Sequence, residues 1–195
     1  MPRVKAFNEE TVLEKAMDLF WEKGYHATSI QDLVNHLGIN RASLYDTYGG
    51  KKELFDKAFQ LYRTKNTNAI RQFLKSQSDV KTGFRSLFEM AIAQSVADPS
   101  SKGCFVVNTT TELVPGDVEL QEVLIENKAT FETLFHHYLL EGEERGEIPA
   151  GKDLRAIAGL LFTLYNGLQV VAKIQPDRKQ LMASVEVALA LLDGA

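Results

Sequence analysis

Side chains that donate hydrogen bonds recur near the N-terminus of the chain, at Arg41, Ser43, Tyr45, Thr47 and Lys51. Guanidinium, hydroxyl and ammonium groups are the donors with which proteins bind phosphates and the edges of bases. The chain shows neither a nucleophile elbow nor a glycine loop of the kind that cradles a nucleotide phosphate. The residue types therefore favour recognition of a nucleic acid over catalysis.

Two short helices are predicted to position these side chains. The first has apolar residues at helical spacing, Ile30, Leu33, Val34 and Leu37, and ends at Gly38. We expect Thr28 to be its N-cap, with Gln31 completing a capping box.

The second short helix is predicted to run from Arg41 to Tyr48, with Asn40 as its N-cap. Two helices joined at a glycine turn form a helix-turn-helix, whose second helix normally enters the DNA major groove. The candidate DNA-binding residues are Thr28, Asn40, Arg41, Ser43, Tyr45, Thr47, Tyr48 and Lys51.

Several of these residues also have a purely structural interpretation. Thr28 as a plain cap needs no DNA, and Tyr48 also fits a core ring with its hydroxyl at the edge. Lys51 opens a helix, where a cation opposes the helix dipole, so an external phosphate is a sensible partner. Arg3 and Lys5 are expected to add positive charge to the same face.

The rest of the chain also has helical patterns. A helix from about Asn8 to Lys23 precedes the helix-turn-helix, and a long one follows from about Lys51 to Ser76. Further helices are predicted between breaks near residues 98–103, 115–117, 146–151 and 176. We therefore predict an all-α fold, with a DNA-binding domain over 1–50 and a helical ligand-binding and dimerisation domain over 51–195.

Bulk composition sets broad limits. The net charge of −4 gives no support to nucleic-acid binding, so that prediction depends on where the cations point. The one cysteine, Cys104, excludes an intramolecular disulfide and fits a cytoplasmic protein. The apolar run from Ala156 to Ala172 is interrupted by polar residues, which favours a buried helix over a membrane span.

The N-terminal spacing resembles the tetracycline-repressor (TetR) family of bacterial transcription regulators over roughly residues 9 to 60. The shared features include Gly24-Tyr25, Gly38-Ile39, Leu44-Tyr45 and Gly50-Lys51. Residues 102–113 look like one branch of that family. Two departures stand out: Thr47 replaces the Tyr or His often found there, and Tyr48 replaces the usual Phe.

The resemblance implies a homodimer that binds a palindromic operator and releases it when a small-molecule inducer binds in the C-terminal domain. The candidate pocket residues are Phe84, Phe88, Cys104, Phe105, Asn108, Phe131, Phe135 and Tyr165. We expect the last two helices to pair with those of a second copy through Leu154, Ile157, Ala158, Leu161, Leu164, Leu168, Leu181, Val185, Ala188, Leu189 and Leu192.

The main hypothesis is thus a cytoplasmic, ligand-responsive transcriptional regulator, and we favour a repressor over an activator. We expect it to use no cofactor or metal and to have no membrane partner. One alternative is a helical-bundle enzyme or metal protein. His136 and His137 do not favour it, because adjacent residues point to different sides of a helix. Another is a dimeric interaction protein whose helix-turn-helix is only a scaffold.

Overall fold

The computed structural model describes residues 7–97 and 102–194. Within these residues every regular element is helical, which confirms the all-α prediction. Arg3, Lys5 and most of the loop predicted near residues 98–103 lie outside the described residues. The helices are α1 (Glu9–Lys23), α2 (Ile30–Leu37), α3 (Arg41–Tyr48), α4 (Lys51–Lys75), α5 (Val80–Ala97), α6 (Phe105–Leu113), α7 (Val118–Glu144), α8 (Leu154–Ile174) and α9 (Arg178–Leu189), followed by a 3₁₀ turn at Ala190–Leu192.

Side-chain caps start α1 and α3 where the sequence predicts. Asn8 accepts a hydrogen bond from the Thr11 backbone N–H, and Asn40 accepts one from that of Ser43. Gly38 ends α2 with φ +69°, a left-handed conformation that glycine adopts without steric cost. The helix-turn-helix boundaries therefore follow from local chemistry.

The predicted N-cap of α2 is wrong by one residue. Ser29 is the cap, and its side chain and the Asp32 carboxylate satisfy each other's backbone N–H in a reciprocal capping box. These hydrogen bonds from Ser29, with the Lys23 ammonium 2.9 Å away, hold the pKa of Asp32 well below its usual value. Thr28 is instead fully buried, and its hydroxyl donates to the Gly24 carbonyl oxygen at 2.6 Å.

Two clusters of buried side chains form the interior. The N-terminal cluster joins α1 to α3 with the first half of α4, and it also includes Phe105 and Leu113 of α6 and Leu120 of α7. The C-terminal cluster is formed by the second half of α4 with α5, α7, α8 and α9. Packing therefore crosses residue 50, and the division into domains there stays a prediction about function.

Candidate DNA-binding face and effector cavity

Helix α3 presents an exposed polar face. Arg41 and Tyr45 are both exposed, and the Arg41 guanidinium lies 5.9 Å from the centre of the Tyr45 ring, one helical turn away. Leu44 is fully buried in the N-terminal cluster and holds the opposite side of the helix. The face is thus free for a ligand while the helix behind it is fixed.

Three further predicted contacts border this face. Ser43 and Thr47 are half-buried, and Lys51 lies at the start of α4 with its ammonium 4.3 Å from the centre of the Tyr25 ring. Partial burial lowers the pKa of Lys51, and the nearby Glu112 and Asp32 carboxylates oppose that shift. A cation that is partly dehydrated and stacked on a ring is well placed to gain from a phosphate.

Two predicted DNA contacts are wrong. The Thr28 hydroxyl is buried and already donates to a backbone carbonyl, so it cannot reach a phosphate. The Tyr48 ring lies in the core, where burial raises the pKa of its hydroxyl. That hydroxyl donates to the Glu9 carbonyl oxygen at 3.2 Å, which ties α3 to α1.

A cavity of about 690 Å³ opens between the two clusters. Of the predicted pocket residues, Cys104 and Tyr165 line it; the complete lining is Met17, Trp21, Tyr62, Lys65, Asn66, Ala69, Ala91, Gln94, Ser95, Lys102, Gly103, Cys104, Tyr165 and Gln169. Because Met17 and Trp21 belong to α1, a molecule in this cavity would touch the helix-turn-helix unit directly. We call this space the effector cavity.

The other predicted pocket residues do not line the effector cavity. Phe84, Phe131 and Phe135 form edge-on ring pairs deep in the C-terminal cluster. Phe105 packs behind the cavity wall against Tyr62, and Phe88 packs behind Tyr165 with ring centres 5.9 Å apart.

The side-chain amide of Asn108 already forms hydrogen bonds within the fold. Its amide N–H donates to the Lys102 carbonyl oxygen, and its side-chain oxygen accepts from Lys173 at 2.7 Å. Burial raises the pKa of the Cys104 thiol, which keeps this sulfur protonated.

Most of the predicted dimer residues of α8 and α9 face the interior of their own protomer, which leaves them no surface for a second copy; the interface itself stays a prediction. Leu161, Val185 and Leu189 are fully buried, and Ile157 and Leu164 are partly buried against the same cluster. The remaining residues of the predicted set also belong to this C-terminal cluster: Leu154, Ala158, Leu168, Leu181, Ala188 and Leu192.

A second apolar face lies on the outside of the same two helices. Its exposed members are Leu160, Val170, Val171 and Ile174 on α8 and Val187 on α9, with Leu191 just beyond α9. We call this set the outer face. Helix α8 is apolar on both faces. Among the described helices it is therefore the one that is long and apolar enough, by length and composition, to cross a membrane. Of the most apolar 18-residue stretch in this helix, only 22% is buried within the protomer.

A carboxylate connects the C-terminal helices to the helix-turn-helix unit. Glu112 on α6 accepts hydrogen bonds from the backbone N–H groups of Tyr25 at 3.0 Å and His26 at 2.7 Å. Gly24 has φ +84°, and a Cβ there would lie 2.8 Å from the Glu112 carboxylate. The turn after α1 is thereby fixed to α6.

Comparison with known proteins agrees with this architecture. Residues 12–58 match the family model described as bacterial regulatory proteins of the tetR family, and residues 82–187 match the tetracyclin repressor-like C-terminal domain. The chain belongs to the TetR family. As a member of a family of regulators it is a DNA-binding transcriptional regulator and not an enzyme.

Relatives match this TetR-family chain over nearly its whole length. YezE of Bacillus subtilis (strain 168), described as an uncharacterized HTH-type transcriptional regulator, is 36% identical over 99% of this chain and 100% of its own. The HTH-type transcriptional repressor ComR of Escherichia coli (strain K12) is 29% identical over 97% of this chain and 90% of its own.

A solved structure of the TetR-family regulator CifR is also similar. Its cysteine mutant, complexed with 26 bp operator DNA, has a TM-score of 0.85 and 29% identity, and the match covers 98% of this chain and 100% of that one.

Three residues of this TetR-family regulator were missed by the sequence reasoning. Glu112 carried no signal for its contact with the turn after α1, because that contact spans 86 to 87 residues. Trp21 and Tyr62 lie beside core positions on their helices, and aromatic residues there resemble ordinary core. For Trp21 the residue type was the one available signal of a functional role, since it is the single tryptophan of the chain.

Proposed function

We propose that this regulator is a homodimeric repressor that binds a palindromic operator through α3 of each protomer and releases it when a small molecule enters the effector cavity. The observation that carries the proposal is the exposed Arg41–Tyr45 face on a helix whose other side is buried. The repressor name of ComR and the operator complex of CifR support the same function.

The proposed contacts have separate tasks. Arg41, in the first turn of α3, reads a base edge, since Arg can bond to guanine through two N–H groups. Tyr45, Ser43, Thr47 and Lys51 donate to phosphates and set the register on the duplex. Asn40 acts by capping α3, because its side-chain oxygen is already bonded to the Ser43 backbone N–H.

Dimerisation is proposed through the outer face. Leu160, Val171 and Ile174 recur along one side of α8, and Val187 on α9 and Leu191 just beyond it are exposed as well. Helices with such a stripe bury it by packing against another pair. The dimer then places two α3 helices about 34–36 Å apart, the distance between successive major-groove faces.

Ligand control is proposed to act across the junction of the two clusters. The effector cavity is lined by α1 on one side and by α4, α5 and α8 on the other, so an occupant changes their relative position. A ligand that prefers the DNA-incompetent arrangement weakens operator binding, and the operator weakens ligand binding by the same factor.

The functional division proposed is DNA binding in residues 1–50 and ligand binding and dimerisation in residues 51–195. A protein that binds the operators of bacterial genes acts in the cytoplasm, and we propose that location for this chain. Among the described residues no group of His, Cys, Asp and Glu side chains could hold a metal ion.

The test is selection of bound fragments from random duplexes with the full-length protein, followed by gel shift with the enriched sequence. We expect an inverted repeat with half-sites one helical turn apart. Enrichment of no sequence would favour the interpretation of the helix-turn-helix as a scaffold in an interaction protein. Turnover of a substrate would favour the enzyme alternative.

A further inference from the structure

The effector cavity has aromatic walls. Trp21 and Tyr62 stand edge to face, with ring centres 5.1 Å apart, and Tyr165 lines the cavity from α8. Aromatic rings of a ligand gain from such edge and face contacts beyond the area that they bury. Tyr165 is itself held by Phe88 behind it, so the wall is supported.

The charged side chains that line the cavity are both cations, Lys65 and Lys102. Lys65 pairs with Glu14, and the Lys102 ammonium lies 3.9 Å from the Glu22 carboxylate. Both acids lie outside the lining. A cationic ligand would therefore meet two ammonium groups and find no carboxylate in the lining with which to pair. A neutral or anionic ligand would meet no such repulsion.

The Tyr165 hydroxyl is one of the hydrogen-bond donors that the lining offers to a ligand, beside the side-chain amides of Asn66 and Gln94. The Tyr165 hydroxyl has no hydrogen-bond partner in the described part of the chain, where every fully buried polar side-chain atom has one. Tyr165 lines the cavity, and we infer that its hydroxyl faces this space. The Tyr62 hydroxyl points instead to the Cys104 sulfur at 4.0 Å. Burial raises the pKa of Tyr165, so it remains a donor at neutral pH.

We propose that the effector is an aromatic molecule without positive charge, whose carbonyl or carboxylate oxygen accepts a hydrogen bond from the Tyr165 hydroxyl. The inference rests on the proposed function, and it names the chemical class of the effector. Aromatic walls favour an aromatic ring, the lining lysines disfavour a cation, and the Tyr165 hydroxyl favours an acceptor oxygen.

The same ligand would touch the DNA-binding unit through Trp21. The indole N–H of Trp21 donates to the Gly103 carbonyl oxygen at 2.9 Å and so joins α1 to the segment before α6. A ligand ring in contact with Trp21 would act on this hydrogen bond, next to the Lys102 ammonium that lies 5.8 Å from the centre of the Trp21 ring. Because Trp21 is the single tryptophan, its fluorescence reports on the cavity without a label.

The experiment is calorimetric titration of the full-length protein with four probes of similar shape. The probes are biphenyl-4-carboxylate, biphenyl-4-carboxamide, biphenyl-4-ylmethylammonium and 4-cyclohexylcyclohexanecarboxylate. We expect the first two to bind at least about tenfold more tightly than the last two, a difference of about 1.4 kcal/mol. Equal affinity of the ammonium or of the saturated acid, or no binding of either aromatic acceptor, would overturn the proposal.

Tyr165→Phe tests the hydrogen bond, because it removes the hydroxyl and keeps the ring. It should weaken the carboxamide about threefold to tenfold, as expected for one neutral hydrogen bond. The matched control is Tyr138→Phe, since the Tyr138 hydroxyl donates to the Asp79 carbonyl oxygen and does not line the cavity. Unchanged carboxamide affinity in folded Tyr165→Phe would exclude this donor, and the four-probe comparison stands if that variant does not fold.

The two proposals fail separately. Calorimetry is done without DNA, and duplex selection is done without ligand. Binding of the aromatic acceptors with no enriched duplex would count against the repressor alone. An enriched inverted repeat with no preference among the probes would count against the effector class alone.

Discussion

Helix α3 and the pair α8 and α9 all carry apolar residues at helical spacing. The side of α3 that we expected to be exposed is exposed, whereas most of the side of α8 and α9 that we expected to meet a second copy is buried in its own protomer. On α3 a single apolar side, with Leu44, is buried, and the polar side is exposed as predicted. On α8 two sides are apolar, one against its own protomer and one on the outer face. A stripe indicates that a surface will be covered, but it does not say by which chain.

The largest expected effect concerns the inner side of α8. Leu161→Ala removes a fully buried side chain and should lower the free energy of unfolding by about 2–5 kcal/mol. Urea unfolding at several protein concentrations measures it. If Leu161 instead contacted a second copy, the destabilisation would disappear at high protein concentration.

Next comes the outer face. Val187→Glu would bury an unpaired charge in the proposed dimer interface and should weaken dimerisation about 100-fold or more. Val187 is 74% exposed in the protomer, so the protomer itself should keep its fold. The matched control is Val118→Glu on α7, where valine is 72% exposed.

Sedimentation velocity distinguishes these variants. We expect monomers for Val187→Glu and dimers for Val118→Glu at the same concentration. A dimer that survives Val187→Glu unchanged would move the interface elsewhere.

A smaller effect is expected on α3. Arg41→Ala should weaken operator binding by about 1–3 kcal/mol and relax the base preference at one position of each half-site. Because Arg41 is exposed, its removal should leave unfolding unchanged. Gel shift across single-base operator variants is the measurement, and an unaltered base preference would remove Arg41 from sequence readout.

The smallest effect is expected at the edge of the same face. Lys51→Ala removes one proposed phosphate interaction, so it should weaken binding to all sequences alike. The salt dependence of the affinity should become shallower by about one unit of log–log slope for each phosphate that is no longer neutralised. A slope equal to that of the unchanged protein would show that Lys51 does not meet the backbone.

Much of the N-terminal unit was predictable because its signals are local. Caps, glycine stops and apolar spacing act within one or two helical turns, so both ends of α3 and the end of α2 agree with the structure. The error at Thr28 is of the same local kind: Ser29 and Asp32 complete a reciprocal box that Thr28 and Gln31 do not. A one-residue shift was enough to turn a predicted phosphate contact into a buried hydroxyl.

The effector cavity was less predictable because its walls come from distant parts of the chain. Trp21, Tyr62 and Tyr165 lie on three helices, and no spacing relates them. The buried phenylalanines of α5 and α7 have the same pattern as cavity residues, but they fill the space between their own helices. Whether a ring lines a cavity or fills a core depends on what packs against it.

By itself, the sequence determined the helical class, the helix-turn-helix, the outward direction of Arg41 and Tyr45, and the family. These depend on residue type and on periods of a few residues. Only the tertiary structure decided which side of α8 belongs to the protomer, where the cavity opens, and that Glu112 holds the turn after α1. Those features depend on which helices come together, and the free energy of that packing is shared among residues far apart in the chain.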